Sequence, residues 1–344
     1  MRVIIDVMSG DNAPLELVKG AVMAKEALGV DITVVGVKEI IEKVAKEESL
    51  NLDGIEIVHA DSVINMEDDA VSVVRAKSDS SMSVGLKMLS RGEGDAFVSA
   101  GNTGALLTGA TLLVRKIKGI KRAAIGTVLP LSCPSLLIDS GANIDVDEKI
   151  LEQFAVMGSA YMERIYGVEK ARVGLLNNGT EDTKGTPLYR SANALLNASE
   201  DIKFVGNVEA KEVPFGVCDV IVCDGFTGNV LLKSIEGMGK FFMKTLKNVF
   251  YENIITKLTA LVLKGKIKGV KKQLDASEHG GAPLLGISKP VIKAHGSSDA
   301  KAVMNAVRQA QNYANTGIID VIAECALRIK ERNAAHGEKE TENI

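Results

Sequence analysis

Two short stretches carry residue types suited to holding an anion. Ala100–Leu107 reads AGNTGALL, and Asp224–Leu232 reads DGFTGNVLL. Each follows an apolar, strand-like run and opens a helix-like run with Thr-Gly, an Asn nearby and no large side chain after the Thr. The first turn of a helix has N–H groups without intrahelical partners and the positive end of the helix dipole. With so little bulk in the way, an anion can approach such amides directly. Gly101, Asn102, Thr103 and Gly104, with Gly225, Thr227, Gly228 and Asn229, are therefore candidates for binding a phosphate or a developing oxyanion.

Further polar turns follow other strand-like runs. Asp6 leads into Gly10, Asp11 and Asn12, and Asp139 leads into Asn143. Asn177, Asn207 and Asp224 sit at later strand ends, and Ala294 leads into His295, Gly296 and Ser297. A single turn of this kind is explained by capping and turn formation alone. Their recurrence after strand-like runs points to a shared substrate cleft. Lys184, beside Gly185, and His295, one of only four histidines, are the candidates for charge and proton work. The aspartates orient these groups or cap helices. GxxxxGK(S/T) is absent, as is GxGxxG at the first strand-to-helix turn, which argues against a P-loop and against NAD. No Cys, His or carboxylate spacing indicates a metal site.

Strand-like and helix-like runs alternate along the chain. Val3–Ile5, Ile32–Val35, Ile55–Val58, Ala96–Val98, Arg172–Leu176, Lys203–Val205, Val217–Cys223 and Pro290–Ala294 read as strands. Helical runs separate them, including Glu148–Tyr166 and a long last one over Asp299–Lys330. That alternation predicts an α/β fold, a three-layer α/β/α sandwich around a Rossmann-like, mostly parallel sheet, with ligands at the strands' carboxyl ends. No linker or repeat divides the 344 residues, so one large unit over 1–344 is expected, with a frayed charged tail over 332–344. Aromatics make up 4% and Trp is absent, so the core must be aliphatic. A net charge of −3 gives no general basis for binding nucleic acid. The four cysteines read as buried reduced thiols, which implies a cytoplasmic setting. MRVIIDV lacks the long apolar stretch of a signal peptide, and no run is long enough to span a membrane.

Met238–Lys272 stands apart. It holds nine lysines and one acidic residue, with apolar residues at three- and four-residue steps. A basic amphipathic helical tip over 238–275 suits an anionic membrane surface or an acidic protein, although core helices share the pattern.

The motifs IDVMSGDNAP, SAGNTGALLTGA, DSGANIDVDEKILEQFAVMG, FVGNVEAKEV, VCDGFTGNVLLKSIEG, GGAPLLGI and AHGSSDAKAVMNA occur in this order. Together they resemble the PlsX family, the phosphate acyltransferases of bacterial phospholipid synthesis, from residue 2 to about residue 330. The resemblance implies acyl transfer from acyl-acyl carrier protein to inorganic phosphate as a substrate, with no cofactor. It also implies a fold similar to the isocitrate/isopropylmalate dehydrogenase type, a homodimer, and peripheral association with the inner face of the membrane. Phosphate attacks a thioester carbonyl without an enzyme nucleophile, so the chain needs only to hold phosphate, stabilise the oxyanion and manage protons. Ser9 and the Asn177–Glu181 stretch depart from the family motifs, which place Gly at the former and read NIGEE at the latter. A phosphotransacetylase-like or dehydrogenase-like enzyme, or a membrane-surface scaffold for lipid enzymes, are the competing readings.

Overall fold

The computed structural model describes residues 1–129, 131, 133–253, 256, 259, 263, 265–267, 269 and 280–341. Strand β1 (Arg2–Asp6) shows how its layers are built: Val3 and Ile5 join one buried cluster and Ile4 another. Alternate side chains of a strand leave on opposite faces, so a strand apolar throughout must be covered on both. Helices α1 (Leu15–Leu28) and α2 (Lys38–Glu47) contribute Leu17, Val18, Ala21 and Ile41 to the first cluster. Helices α3 (Ser81–Arg91) and α4 (Thr103–Gly109) contribute Met82, Leu86, Leu89, Ala105 and Leu106 to the second. With β2 (Asp31–Gly36), β3 (Ile55–His59) and β4 (Ala96–Ser99), β1 forms a parallel half-sheet in the order β3-β2-β1-β4.

The second half-sheet uses β6 (Ser135–Ile138), β7 (Arg172–Asn177), β8 (Lys203–Glu209) and β9 (Val220–Val222), also mutually parallel. Helices α5 (Glu148–Tyr166) and α6 (Pro187–Asn197) cover one face, and the start of α7 (Gly225–Tyr251) covers the other. Three central strands join the halves: β5 (Ala124–Leu129), β10 (Ala282–Leu285) and β11 (Val291–Lys293). The result is one eleven-stranded sheet, mostly parallel and flanked by helices, in the order β3-β2-β1-β4-β11-β10-β5-β6-β9-β7-β8.

The central pairings decide where a site can lie. β10 is antiparallel to both neighbours, and β5 is antiparallel to β6, so the two half-sheets run in opposite directions. On a flush sheet their carboxyl ends would face away from each other. The register shows otherwise. Asp6 pairs with Ser99, Ser99 with Lys293, and Lys293 with Ala282. Two residues further along β10, Leu284 meets Ile125, and the next residue of β5, Gly126, meets Ile138, which pairs with Val222. The last residues of β1, β4 and β11 therefore come within a few rungs of the last residues of β6 and β9. The halves are staggered, and their carboxyl ends converge on one cleft.

Several sequence expectations shift. β8 runs on to Glu209, so Asn207 lies within a strand rather than in a turn. The expected Asp299–Lys330 helix is two: α8 (Ala300–Asn315) and α9 (Ile318–Thr341), broken at Gly317 with φ +65°. α9 runs as far as Thr341, and the end of the tail, 342–344, lies outside the described residues. The helix of the basic segment begins at Gly225, well before Met238. Most of 254–275 lies outside the described residues. Among the described residues no helix is long and apolar enough to cross a membrane.

The stagger leaves α7 pressed on the β6 turn. A Cβ on Gly228 would fall 1.9 Å from the Asp139 carbonyl oxygen, and one on Gly225 would fall 2.8 Å from the Asn143 backbone. Gly228→Ala should thus cost about 1–3 kcal/mol or more in chemical denaturation. Gly237→Ala, whose Cβ meets nothing within 4 Å, should not destabilise. A Gly228→Ala protein as stable as the parent would contradict this packing.

Candidate active site

A cavity of about 880 Å³ opens at the convergence. One end is polar and is built by three turns of the first half-sheet. Gly10, with φ +125°, lets them touch: a Cβ there would lie 3.0 Å from the Ala100 Cβ and 3.2 Å from the Gly296 carbonyl oxygen. Asp11 N–H donates to that carbonyl at 2.8 Å, and Asn12 Nδ2 donates to Ser297 and Ser298 carbonyls at 3.1 and 3.3 Å. Buried Asp6 accepts from Ser99 Oγ at 2.8 Å, and Ser99 Oγ accepts from Gly101 N–H at 3.1 Å. Ser9 packs against Gly101 with an ordinary φ, so glycine is not required there.

The two anion-binding stretches differ. At α4, Asn102 Oδ1 accepts from Ala105 N–H at 3.0 Å, while its Nδ2 donates to the Asn65, Met66 and Asp68 carbonyls. Asn102 is thus a cap and a clamp, and Thr103 and Gly104 hold the open end of α4, with Thr103 on the cavity wall. At α7 the donors are spent. Asp224 accepts from Thr227 N–H and Thr227 Oγ1 at 2.9 and 2.7 Å, and Gly228 N–H donates to the Asp224 carbonyl. Gly225 N–H donates to the Asn143 carbonyl. Burial would raise the Asp224 carboxyl, but hydrogen bonds from Tyr189 and Thr227 outweigh it and hold it below its ordinary value. A carboxylate already occupies this helix terminus, so Gly225, Thr227 and Gly228 position α7 rather than present amides to an anion.

Asp139 is likewise structural. It accepts from the N–H groups of Ile125, Gly141, Ala142 and Asn143 and from Asn143 Nδ2. Burial pushes its carboxyl up against the pull of these donors. Asn177 and Asn207 serve the β7–α6 loop: Asn177 Nδ2 donates to the Lys184 carbonyl and Asn207 Nδ2 to the Glu181 carbonyl. Lys184 is exposed on that loop and is not among the residues lining the cavity. Of the predicted site residues, Asp11, Thr103, Asn229, His295, Gly296 and Ser297 line it.

Lys293 escapes the sequence reading because it belongs to a strand. It ends β11, lines the cavity, and donates from Nζ to the Ala100 and Ala294 carbonyls. An ammonium has three donors, so one remains. Burial lowers its pKa to about 8, against the pull of Asp11 and Asp6. The available signal was a lysine closing an otherwise apolar run two residues before His295. His295 Nδ1 lies 3.2 Å from the Ser297 N–H that donates to it and 2.9 Å from Ser297 Oγ. An acceptor Nδ1 leaves the proton of the neutral ring on Nε2. Partial burial holds His295 below its ordinary pKa, with Lys233 and Lys293 acting in the same direction and Glu236 and Asp11 opposing. Ser298, also on the wall, has a buried Oγ without a hydrogen-bond partner among the described residues. Helix α7 adds Leu232, Ile235 and Met243 as apolar lining, with Lys233, Glu236 and Lys240 beside them. A cation and an N–H donor thus share one space with apolar side chains of α7.

Residues 1–321 match the family model described as "Fatty acid synthesis protein". This chain belongs to that family. Its relatives include the "Phosphate acyltransferase" of Thermoanaerobacter pseudethanolicus, 45% identical over 94% of this chain and 97% of that protein. Another, of the same name, is from Fusobacterium nucleatum, 45% identical over 93% and 97%. The family is one of acyltransferase enzymes acting in fatty acid and phospholipid synthesis. The fold is shared with a phosphotransacetylase from Streptococcus pyogenes, at TM-score 0.60 and 16% identity over 95% of this chain and 94% of that one. EutD phosphotransacetylase from Staphylococcus aureus gives TM-score 0.57 at 14% identity, over 91% and 94%.

If Lys293 supplies the charge at the polar end, affinity for sulfate, whose own charge is constant over this range, should fall as pH rises through about 8. Lys293→Arg should retain binding above that pH, and Lys293→Met should weaken it throughout. Calorimetric titration checks this, and a pH-independent affinity in the parent protein would contradict it.

Proposed function

We propose that this chain transfers a fatty acyl group from acyl-acyl carrier protein to inorganic phosphate, by direct attack of phosphate on the thioester. The observation that carries the reading is one cavity lined both by Lys293, His295 and Thr103 and by the apolar Leu232, Ile235 and Met243 of α7. Lys293 and the open end of α4 hold the phosphate beside the carbonyl. A phosphate oxygen attacks the carbonyl carbon, and His295 Nε2–H donates to the oxyanion that forms. The C–S bond then breaks, giving acyl phosphate and a carrier-protein thiolate, and the proton released by the attacking hydrogen phosphate balances the one the thiolate takes up. Buried Cys223, its thiol pushed well up by desolvation, is unsuited to be a nucleophile, in keeping with direct attack.

The reading extends to partners. The exposed Phe241, Phe242, Val249 and Tyr251 on α7, with Lys240, Lys244 and Lys247 among them, suit an anionic surface. We take that surface to be the inner face of the membrane, reached by a cytoplasmic protein. The acidic carrier protein is the other partner of such a helix. A homodimer rests on the family resemblance alone.

The test is release of carrier-protein thiol with labelled phosphate. Acyl phosphate should form only when phosphate is present, and His295→Ala should lower kcat by about 100-fold or more. Absence of acyl phosphate with every chain length tried would overturn the reading. Full activity of His295→Ala would remove His295 from it.

A further inference from the structure

We infer that Gly239 is a specificity-determining residue that keeps the cavity open for the far end of a long acyl chain. The inference rests on the acyl-transfer reading above and assigns one wall of the same site.

Leu232, Ile235, Gly239 and Met243 all line the cavity and follow one another along α7 at steps of three, four and four residues. That spacing puts them on one helical face. Lys233, Glu236 and Lys240 flank this row on the cavity wall, while the row itself is apolar and Gly239 leaves a gap in it between Ile235 and Met243. A glycine inside a helix is destabilising relative to alanine, so one that is kept there calls for a reason. Backbone conformation is not the reason, because Gly239 is absent from the positive-φ glycines. Packing is not the reason either, because a Cβ built on Gly239 meets nothing within 4 Å.

The other glycines on the cavity wall are accounted for. Gly141 has φ +142° and Gly280 has φ +95°. A Cβ on Gly280 would lie 2.6 Å from the Asn305 carbonyl oxygen, and one on Gly281 2.7 Å from that of Lys293. Gly296 lies against the Asp11 carboxylate. What Gly239 alone provides on the cavity wall is unfilled volume in the row of Leu232, Ile235 and Met243.

The occupant is the alkyl chain of the thioester. The gap is continuous with the end that carries Lys293 and His295, so a substrate whose carbonyl sits there has its chain directed onto α7. A space of about 880 Å³ falls within the range of about 300–1,000 Å³ that takes up a whole ligand. A side chain at 239 would block the stripe between Ile235 and Met243. Short chains would still fit and long ones would not.

The experiment compares kcat/KM for octanoyl- and palmitoyl-acyl carrier protein in the full-length parent, Gly239→Leu, Gly239→Ala and Gly237→Leu proteins. Gly237 is the control: it is on the same helix, is exposed, also has an open Cβ position, and does not line the cavity. The palmitoyl-to-octanoyl ratio should fall at least about tenfold in Gly239→Leu and less in Gly239→Ala, as expected for steric selection against added methylenes. Gly237→Leu should keep the parent ratio. An unchanged ratio in an active Gly239→Leu protein, or an equal fall in Gly237→Leu, overturns the inference. Should Gly239→Leu fail to fold, the ratio in Gly239→Ala decides, and an unchanged ratio there counts against it. A parent protein that makes acyl phosphate from neither donor refutes the acyl-transfer reading instead, whereas an active parent with an unmoved ratio refutes only the role of Gly239.

Discussion

The stagger between the two half-sheets is the constraint on which everything else depends. Parallel strands gather their useful turns at the carboxyl ends. Two parallel sets running in opposite directions would place those ends on opposite edges, unless one set is displaced along the strands. β10 and β5 supply the displacement, since their short antiparallel pairings set Lys293 and Ile138 only a few rungs apart. One cleft then receives turns from both halves. The close approach of Gly228 and Gly225 to the Asp139–Asn143 backbone follows from the same convergence, because α7 must start in the space that remains.

Within the cleft, the polar turns divide their labour. Those following β6 and β9 are closed on themselves: Asp139 and Asp224 collect N–H donors that would otherwise be buried without partners. The turns following β1, β4 and β11 fasten to one another, and they leave Lys293, His295 and the start of α4 facing the cavity. A half-buried ammonium with two of its protons held by carbonyls keeps a fixed position, as the proposed acyl transfer to a placed phosphate requires.

Much of this was legible in the residues. Short, continuous aliphatic runs mark the strands, and Asp, Asn and Ser before helical runs mark the caps, as Asn102 and Asp224 illustrate. The ordered motifs gave the family. The distribution of roles among the turns is not legible in the residues. Asn102-Thr103-Gly104 and Thr227-Gly228-Asn229 look alike as strings, yet only the structure shows that a preceding Asp closes one and not the other. Lys293 was hidden because a strand's inward residues cannot be told from its ends without the register. Lys184 stands beside Gly185, but Gly185 serves the loop: it has φ +89°, and a Cβ on it would fall 2.7 Å from Asn177 Oδ1. Asn207 reads as a turn residue because Gly206 precedes it, and the strand continues through both.

Helix α7 ties the chemistry to its surroundings, since its first turn packs on the Asp139 turn, its middle walls the cavity and its exposed apolar residues face outward. The central claim remains that the converged strand ends hold phosphate between Lys293 and His295. Its most direct test is a crystal structure of the protein with phosphate at saturating concentration. The account predicts one anion within hydrogen-bond distance of Lys293 Nζ and His295 Nε2, at the start of α4. An anion seated instead at the start of α7 or beside Lys184, with the Lys293 end free of phosphate, would contradict it.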